Sequence, residues 1–231
     1  MELEPNNGKN LIIEVAGKKW ARYPVKTKLI TPEDKDIYLI IEEYAKKYLE
    51  ASDIVFISEK AVAFTQGRSY PIGEIKASKL AKFLSYYVTK TPAGIGLGSP
   101  ETMQLAIEEA GIFRILLAAI LGGLAKIFGI KGVFYIIAGS KARAIDGAVP
   151  YAIPPYNNYV SKGPQNSEKV AKKISEKIGV ACAIVDANDI GVNILGKSKG
   201  VNKKLVAKIL KDNPLGQTNE CTPIGIIREI K

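Results

Sequence analysis

The chain has 231 residues, enough for one large domain or two small ones with a substantial core. Hydrophobic residues make up 47% and charged residues 24%, which excludes a disordered or collagen-like chain. Histidine is absent, so Ser-His-Asp triads, Cys-His pairs, His-bearing zinc sites and imidazole acid–base chemistry are all excluded.

The formal charge is +10, and more than half of the excess lies beyond residue 160. A positive surface favours anionic partners, from nucleotides to acidic metabolites. No Arg-rich or Lys-rich block interleaved with aromatics is present, which weighs against nucleic acid as the partner. Lys169, Lys172, Lys173 and Lys177 recur as one solvated helix face. Cys182 and Cys221 are far apart and form no CxxC motif, so neither a disulfide framework nor a structural zinc is indicated. The opening MELEPNNGKN lacks the basic start and apolar core of a signal peptide, and a cytoplasmic setting is expected.

In chain order, LIIEVAGKKWARYPV predicts a strand region ending in a turn at Lys26 to Lys28. Thr31 as N-cap and Pro32 at the first position predict a helix running to about Leu49. DIVFIS (53–58) is a buried strand, followed by a segment running into a loop near Gly67. A helix is expected over 76–90, then a Gly/Pro-rich stretch, TPAGIGLGSP (91–100). Its Gly94, Gly96 and Gly98 alternate, which matches neither GxGxxG nor a P-loop. Ser99 and Pro100 start the next helix, which Gly111 ends.

Residues 112–130 are apolar enough to mimic a membrane span, but Arg114 and Lys126 interrupt them, so a buried helix over 113–128 and no membrane partner are expected. GVFYIIAG (132–139) predicts a strand, and 140–166 a long proline-rich loop. A helix over 167–178 with Asn166 or Ser167 as cap and Gly179 as stop precedes the strand GVACAIVDA (179–187). A loop and strand, a helix closed by Asn213-Pro214, and the strand TPIGIIREI complete the chain. The succession predicts an α+β fold of mixed sheet with packed helices, as one intimate unit or two interleaved lobes.

Acidic residues at strand ends carry the chemical signal. Asp186 closes an apolar strand and is followed by Asn188 and Asp189, while Asp146 lies shortly after the expected strand 132–139. Gln217 and Glu220 precede the last strand. Hard oxygen ligands at a sheet rim suit Mg²⁺ or Mn²⁺ bridging to phosphates. An Asx-turn after a strand accounts for most such clusters when they stand alone. If strands 132–138 and 180–186 are neighbours, Asp146 and Asp186 face one cation.

These pieces resemble the coenzyme F-420:L-glutamate ligase (gamma-glutamyl ligase) family nearly end to end. RYPVKTKLI (22–30) is similar to its nucleotide-contacting turn, and DIVFISEKAVAFTQGR (53–68) to its strand and Gly-Arg segment. AIDGA (144–148) resembles its metal-binding loop, IVDAND (184–189) its strand-end Asp motif, and GQTNECTPIGIIR (216–228) its last loop and strand.

The resemblance implies a cytoplasmic, homodimeric, intertwined ligase that spends GTP to join L-glutamate to an anionic acceptor through an acyl phosphate. It implies Asp146, Asp186, Gln217 and Glu220 as ligands of Mg²⁺ or Mn²⁺. Pro24, Val25, Lys28, Ser58, Glu59, Lys60, Arg68 and Asn188 would face the nucleotide. The chain departs from the family pattern in four ways. Ala187 stands for a metal-proximal Thr, Asp189-Ile190 for Gly-Arg, and Phe64 for a Lys, and the Asn expected shortly after Asp146 is missing. A paralogue that binds a nucleotide or acidic metabolite without turnover is the first alternative, and a basic nucleic-acid-binding protein the second.

Overall fold

In the computed structural model, residues 3–88, 96–150, 152–188, 191–216 and 219–230 are described. Asp189, Ile190, Gln217 and Gly94 lie outside the described residues. The fold is α+β, and the chain divides into two compact units, residues 1–67 with 164–231, and residues 68–163.

The first unit is built on a six-stranded mixed sheet. Its strands are β1 (Ile12–Val15), β2 (Lys18–Val25), β3 (Ile54–Ser58), β6 (Ala181–Asn188), β7 (Gly191–Lys197) and β8 (Ile224–Ile230), in the order β1-β2-β8-β3-β6-β7. The strand region expected at the N-terminus is a hairpin. Ala16 and Gly17 take φ of 56° and 73°, the doubly positive turn that matches strand twist. β3 and β6 are parallel, whereas the final strand β8 returns antiparallel between β2 and β3.

Alternation along the strands feeds two faces. Phe56, Ala183, Val185 and Ile227 pack with Val206, Ile209 and Leu210 from α8 (Lys203–Ile209) and its end. The opposite face meets α7 (Ser167–Ile178), which ends on left-handed Gly179 as expected. Between β6 and β7 a bulge skips Leu195, so Ile194 opposes Val185 while Gly196 opposes Ile184. The skipped residue turns Ile194 toward the α8 cluster and leaves Gly196 beneath the start of α7. Cys182 is fully buried in β6, and that burial pushes its thiol up to about 12.

Two expectations in this unit need correction. The helix expected from Thr31 begins only at Ile37: α1 spans Ile37–Tyr44 and is capped by Asp36, whose carboxylate accepts from the Tyr38 amide. Asp34 instead accepts from the Thr31 amide at 2.9 Å, closing a separate turn. The segment after β3 is a helix, α2 (Glu59–Thr65), whose Ala61, Val62 and Phe64 are buried.

Among the described residues the second unit holds the two-stranded pair β4 (Ser69–Pro71) and β5 (Tyr159–Ser161), with four α-helices. α3 is Lys79–Tyr86 and α4 is Pro100–Ala110; α4 starts with the expected Ser99 cap, now a capping box with Thr102. α5 is Ile112–Ile127. The strand expected over 132–139 is a helix, α6 (Val133–Arg143), with a non-helical break at Gly139. The β-branched and aromatic run suggested a strand, but Gly132 at φ 83° opens a helical turn. Arg114 from α5 donates to the Ile137 carbonyl at 2.7 Å, meeting a backbone oxygen just before the break.

The helix expected to be buried over 113–128 is α5, and it is mostly exposed: only Ile115 and Ala118 are buried. Its two adjacent glycines have opposite roles. A Cβ on Gly122 would come within 2.9 Å of the Phe134 Cβ and 3.1 Å of its backbone, whereas one on Gly123 meets nothing within 4 Å. Gly123→Ala is therefore expected to stabilise the chain by about 1 kcal/mol through helix propensity. Gly122→Ala should destabilise it by about 1–3 kcal/mol through overpacking. Urea unfolding of the two variants checks the opposite signs.

Candidate functional site

One row crosses the centre of the sheet. Val25 of β2 pairs with Ile224 of β8, Ile224 with Ile57 of β3, and Ile57 with Ile184 of β6. All four are buried. Beyond this row the four strands release candidate residues at one edge: Lys28 after β2, Glu220 before β8, Ser58, Glu59 and Lys60 at the end of β3, and Asp186 and Asn188 at the end of β6. Pro24 and Val25 lie on the last two rungs of β2. Four neighbouring strands are about 15 Å across, the scale of a nucleotide with its phosphates.

Backbone bonds tie this edge together. The Ser58 amide donates to the Pro223 carbonyl at 2.8 Å, and the Thr27 amide to the Cys221 carbonyl at 2.9 Å. The segment before β8 is thereby fastened to the ends of both β3 and β2. The end of a parallel strand pair is a common place for a ligand in α/β sheets, because loops leave the sheet there with unpaired backbone groups.

Asn188 donates to Asp186 Oδ1 at 3.4 Å and accepts from the Gly191 amide at 3.1 Å. The Glu220 carboxylate lies against the Gly216 backbone, so closely that a Cβ on Gly216 would stand 2.5 Å from Glu220 Oε1. Ala187, between Asp186 and Asn188, offers no side-chain ligand. Lys28 pairs with Asp34 at 2.6 Å, and this hydrogen bond raises its pKa. Burial opposes ionisation of Asp34, but the hydrogen bond and charge of Lys28 outweigh it and hold the carboxyl low. Among the described residues no three acidic or cysteine side chains form a ready cation cage.

Two candidates belong to the second unit. Asp146 follows α6 and is held by a backbone bridge to Ser161, with N–H to O=C distances of 2.9 and 3.0 Å in the two directions. It is therefore not at the end of a strand neighbouring 180–186, and the expectation built on two such strands is withdrawn. Arg68 donates to the Gly163 carbonyl at 2.7 Å and pairs with Glu109 at 2.9 Å. Lys162 pairs with Glu108 at 3.0 Å and stands 5.4 Å from the centre of the Tyr70 ring. Sequence reasoning missed this network because its members are separated by tens of residues.

The donor set at the sheet edge is all oxygen: a carboxylate at Asp186, an amide at Asn188 and a carboxylate at Glu220. That chemistry fits a hard divalent cation, which keeps several water or phosphate ligands and does not need a full protein cage. A family model described as F420-0:gamma-glutamyl ligase matches residues 24–194 of the chain. No curated protein matches it.

Proposed function

We propose a specific ligase reaction for this chain, which belongs to the F420-0:gamma-glutamyl ligase family. The family implies gamma-glutamyl ligation in coenzyme F-420 biosynthesis, with glutamate and an F-420 precursor as small-molecule substrates. In the proposed reaction a carboxylate oxygen of the acidic precursor attacks the gamma-phosphorus of GTP, and GDP leaves. The amine of L-glutamate then attacks the acyl carbon, and inorganic phosphate leaves with formation of the amide.

The observation that carries this reading is the row Val25–Ile224–Ile57–Ile184, which brings candidates from four distant segments to one sheet edge. Asp186 and Glu220 would hold Mg²⁺ or Mn²⁺, which when bound neutralises phosphate charge, and Asn188 would face the nucleotide. Pro24, Val25, Ser58 and Glu59 would form the wall against which the nucleotide lies. Lys60 and Lys28 would supply positive charge to the phosphates. Asp146, Gln217 and Arg68 enter as further ligand and phosphate contacts on the resemblance alone.

Thermal unfolding tests the assignment. With GTP and Mn²⁺ at about a hundredfold above Kd, linkage contributes about 2.7 kcal/mol and raises Tm by about 5 to 10 °C. Asp186→Ala should abolish that rise. A rise that survives in both Asp186→Ala and Asp146→Ala removes the metal assignment.

One observation favours the reading without turnover: Lys28 and Arg68 are both already paired with carboxylates, Asp34 and Glu109. Release of phosphate from GTP that depends on glutamate and acceptor decides for the ligase. Ligand-dependent stabilisation without phosphate release decides for the binder.

A further inference from the structure

α5 is covered on one side only. Ile115 and Ala118 enter the core of the second unit, and Gly122 meets the backbone of Phe134 at the start of α6. On the opposite side Phe113, Leu117, Ile120, Leu124 and Ile127 follow at spacings of three and four, all at least half exposed. Ile127 and Phe128, at the turn into α6, are 78% and 79% exposed. Large apolar surface of this extent on a folded chain marks a contact with something else.

Charge identifies what that is. Between Gly111 and Ile145 every charged residue is basic: Arg114, Lys126, Lys131, Lys141 and Arg143. The second unit as a whole carries eleven Lys and Arg against five Asp and Glu. On α3, Lys79 and Lys82 accompany exposed Phe83 and Tyr86. A second copy would bring two second units together, each with a net charge of +6 from those eleven basic and five acidic residues, with mutual repulsion. An anionic lipid surface accepts both features, because its headgroups attract the lysines and its acyl boundary takes the apolar face.

Length fixes the mode of contact. Sixteen residues of α5 extend about 24 Å, short of the ~30 Å hydrocarbon core. α4 and α5 meet at a 117° bend, and among the described residues no single helix is long and apolar enough to cross a membrane. We propose that the exposed apolar face of α5, with the Ile127–Lys131 turn, docks on the interface of an anionic bilayer and lies in its headgroup region without spanning it. The proposal is independent of the ligase assignment.

Co-sedimentation of the full chain with vesicles tests it. Vesicles of phosphatidylcholine with about one third phosphatidylglycerol should bind at least about tenfold more tightly than phosphatidylcholine alone, and half-molar salt should weaken that preference. The paired substitution Ile127→Asn with Phe128→Asn should abolish binding while leaving Tm unchanged, because both side chains are exposed. Lys131→Glu should weaken binding about tenfold to the anionic vesicles only.

Failure to bind either vesicle, or undiminished binding by the paired variant, overturns the proposal. So does a dimer in light scattering that Phe113→Ser with Leu124→Ser splits while the native chain ignores vesicles. That result would assign the face to a second copy.

Discussion

Gly196→Ala is expected to destabilise the protein by about 3 kcal/mol and to lower its Tm by roughly 6 to 12 °C. A Cβ at this position would stand 2.2 Å from the Ser167 carbonyl carbon, 2.3 Å from its oxygen and 2.6 Å from the Glu168 amide nitrogen. All three are backbone atoms at the start of α7, so no side-chain rotation relieves the clash. Either α7 lifts from the sheet or β7 moves from β6, and each movement opens the packing of Ala171 and Ile174, both buried. Urea unfolding should show a lower midpoint with an unchanged slope. A loss below about 0.5 kcal/mol would mean that α7 does not rest on the β7 backbone.

The same glycine shows what a sequence conveys and what it withholds. The apolar runs of β3, β6 and β8, the Ser99-Pro100 start of α4 and the Gly179 stop of α7 were legible, because each is set by neighbours along the chain. That Gly196 must lack a side chain was not, since it depends on a bulge and on a helix nearly thirty residues earlier. α6 was misread because VFYIIAG has strand composition, and the contact with Gly122 that favours a helix lies across a turn. α2 escaped notice because it is short and Ser58 gives it no side-chain cap.

The candidate site was legible in part for the same reason. Polar oxygen-bearing residues flanking apolar strands marked Asp186 and Asn188 at the end of β6 and Glu220 just before β8 directly. Their common edge depends on β8 entering between β2 and β3, an order that nothing local encodes. For Asp146 the local reading gave the wrong element. It was tied to Asp186 through an expected strand, and with that strand a helix its place rests on the bridge to Ser161.

Asp212→Asn is expected to cost about 2 kcal/mol, because it removes the charge that faces a buried cation while solvent at the half-exposed Asp212 screens part of the loss. Arg22 of β2 is fully buried. Its guanidinium donates to the Ile209 carbonyl at 3.0 Å, to the Asn10 carbonyl at 2.5 Å and to both carboxylate oxygens of Asp212, one of them at 3.1 Å. Asp212 is the acid that faces it, and the backbone carbonyls do not neutralise its charge. Burial opposes ionisation of Asp212, but the hydrogen bond and charge of Arg22 outweigh it and hold the carboxyl below its usual value. A folded pKa depressed in this way adds stability that is fully present above the unfolded value, near 4, and is lost as pH falls through the folded value. The asparagine cannot ionise, so the gap between native and variant stability should be widest at neutral pH and close progressively below about pH 4. Urea unfolding at a series of pH values measures that gap directly. A gap that stays constant down to pH 2 would show that the charge of Asp212 does not compensate Arg22.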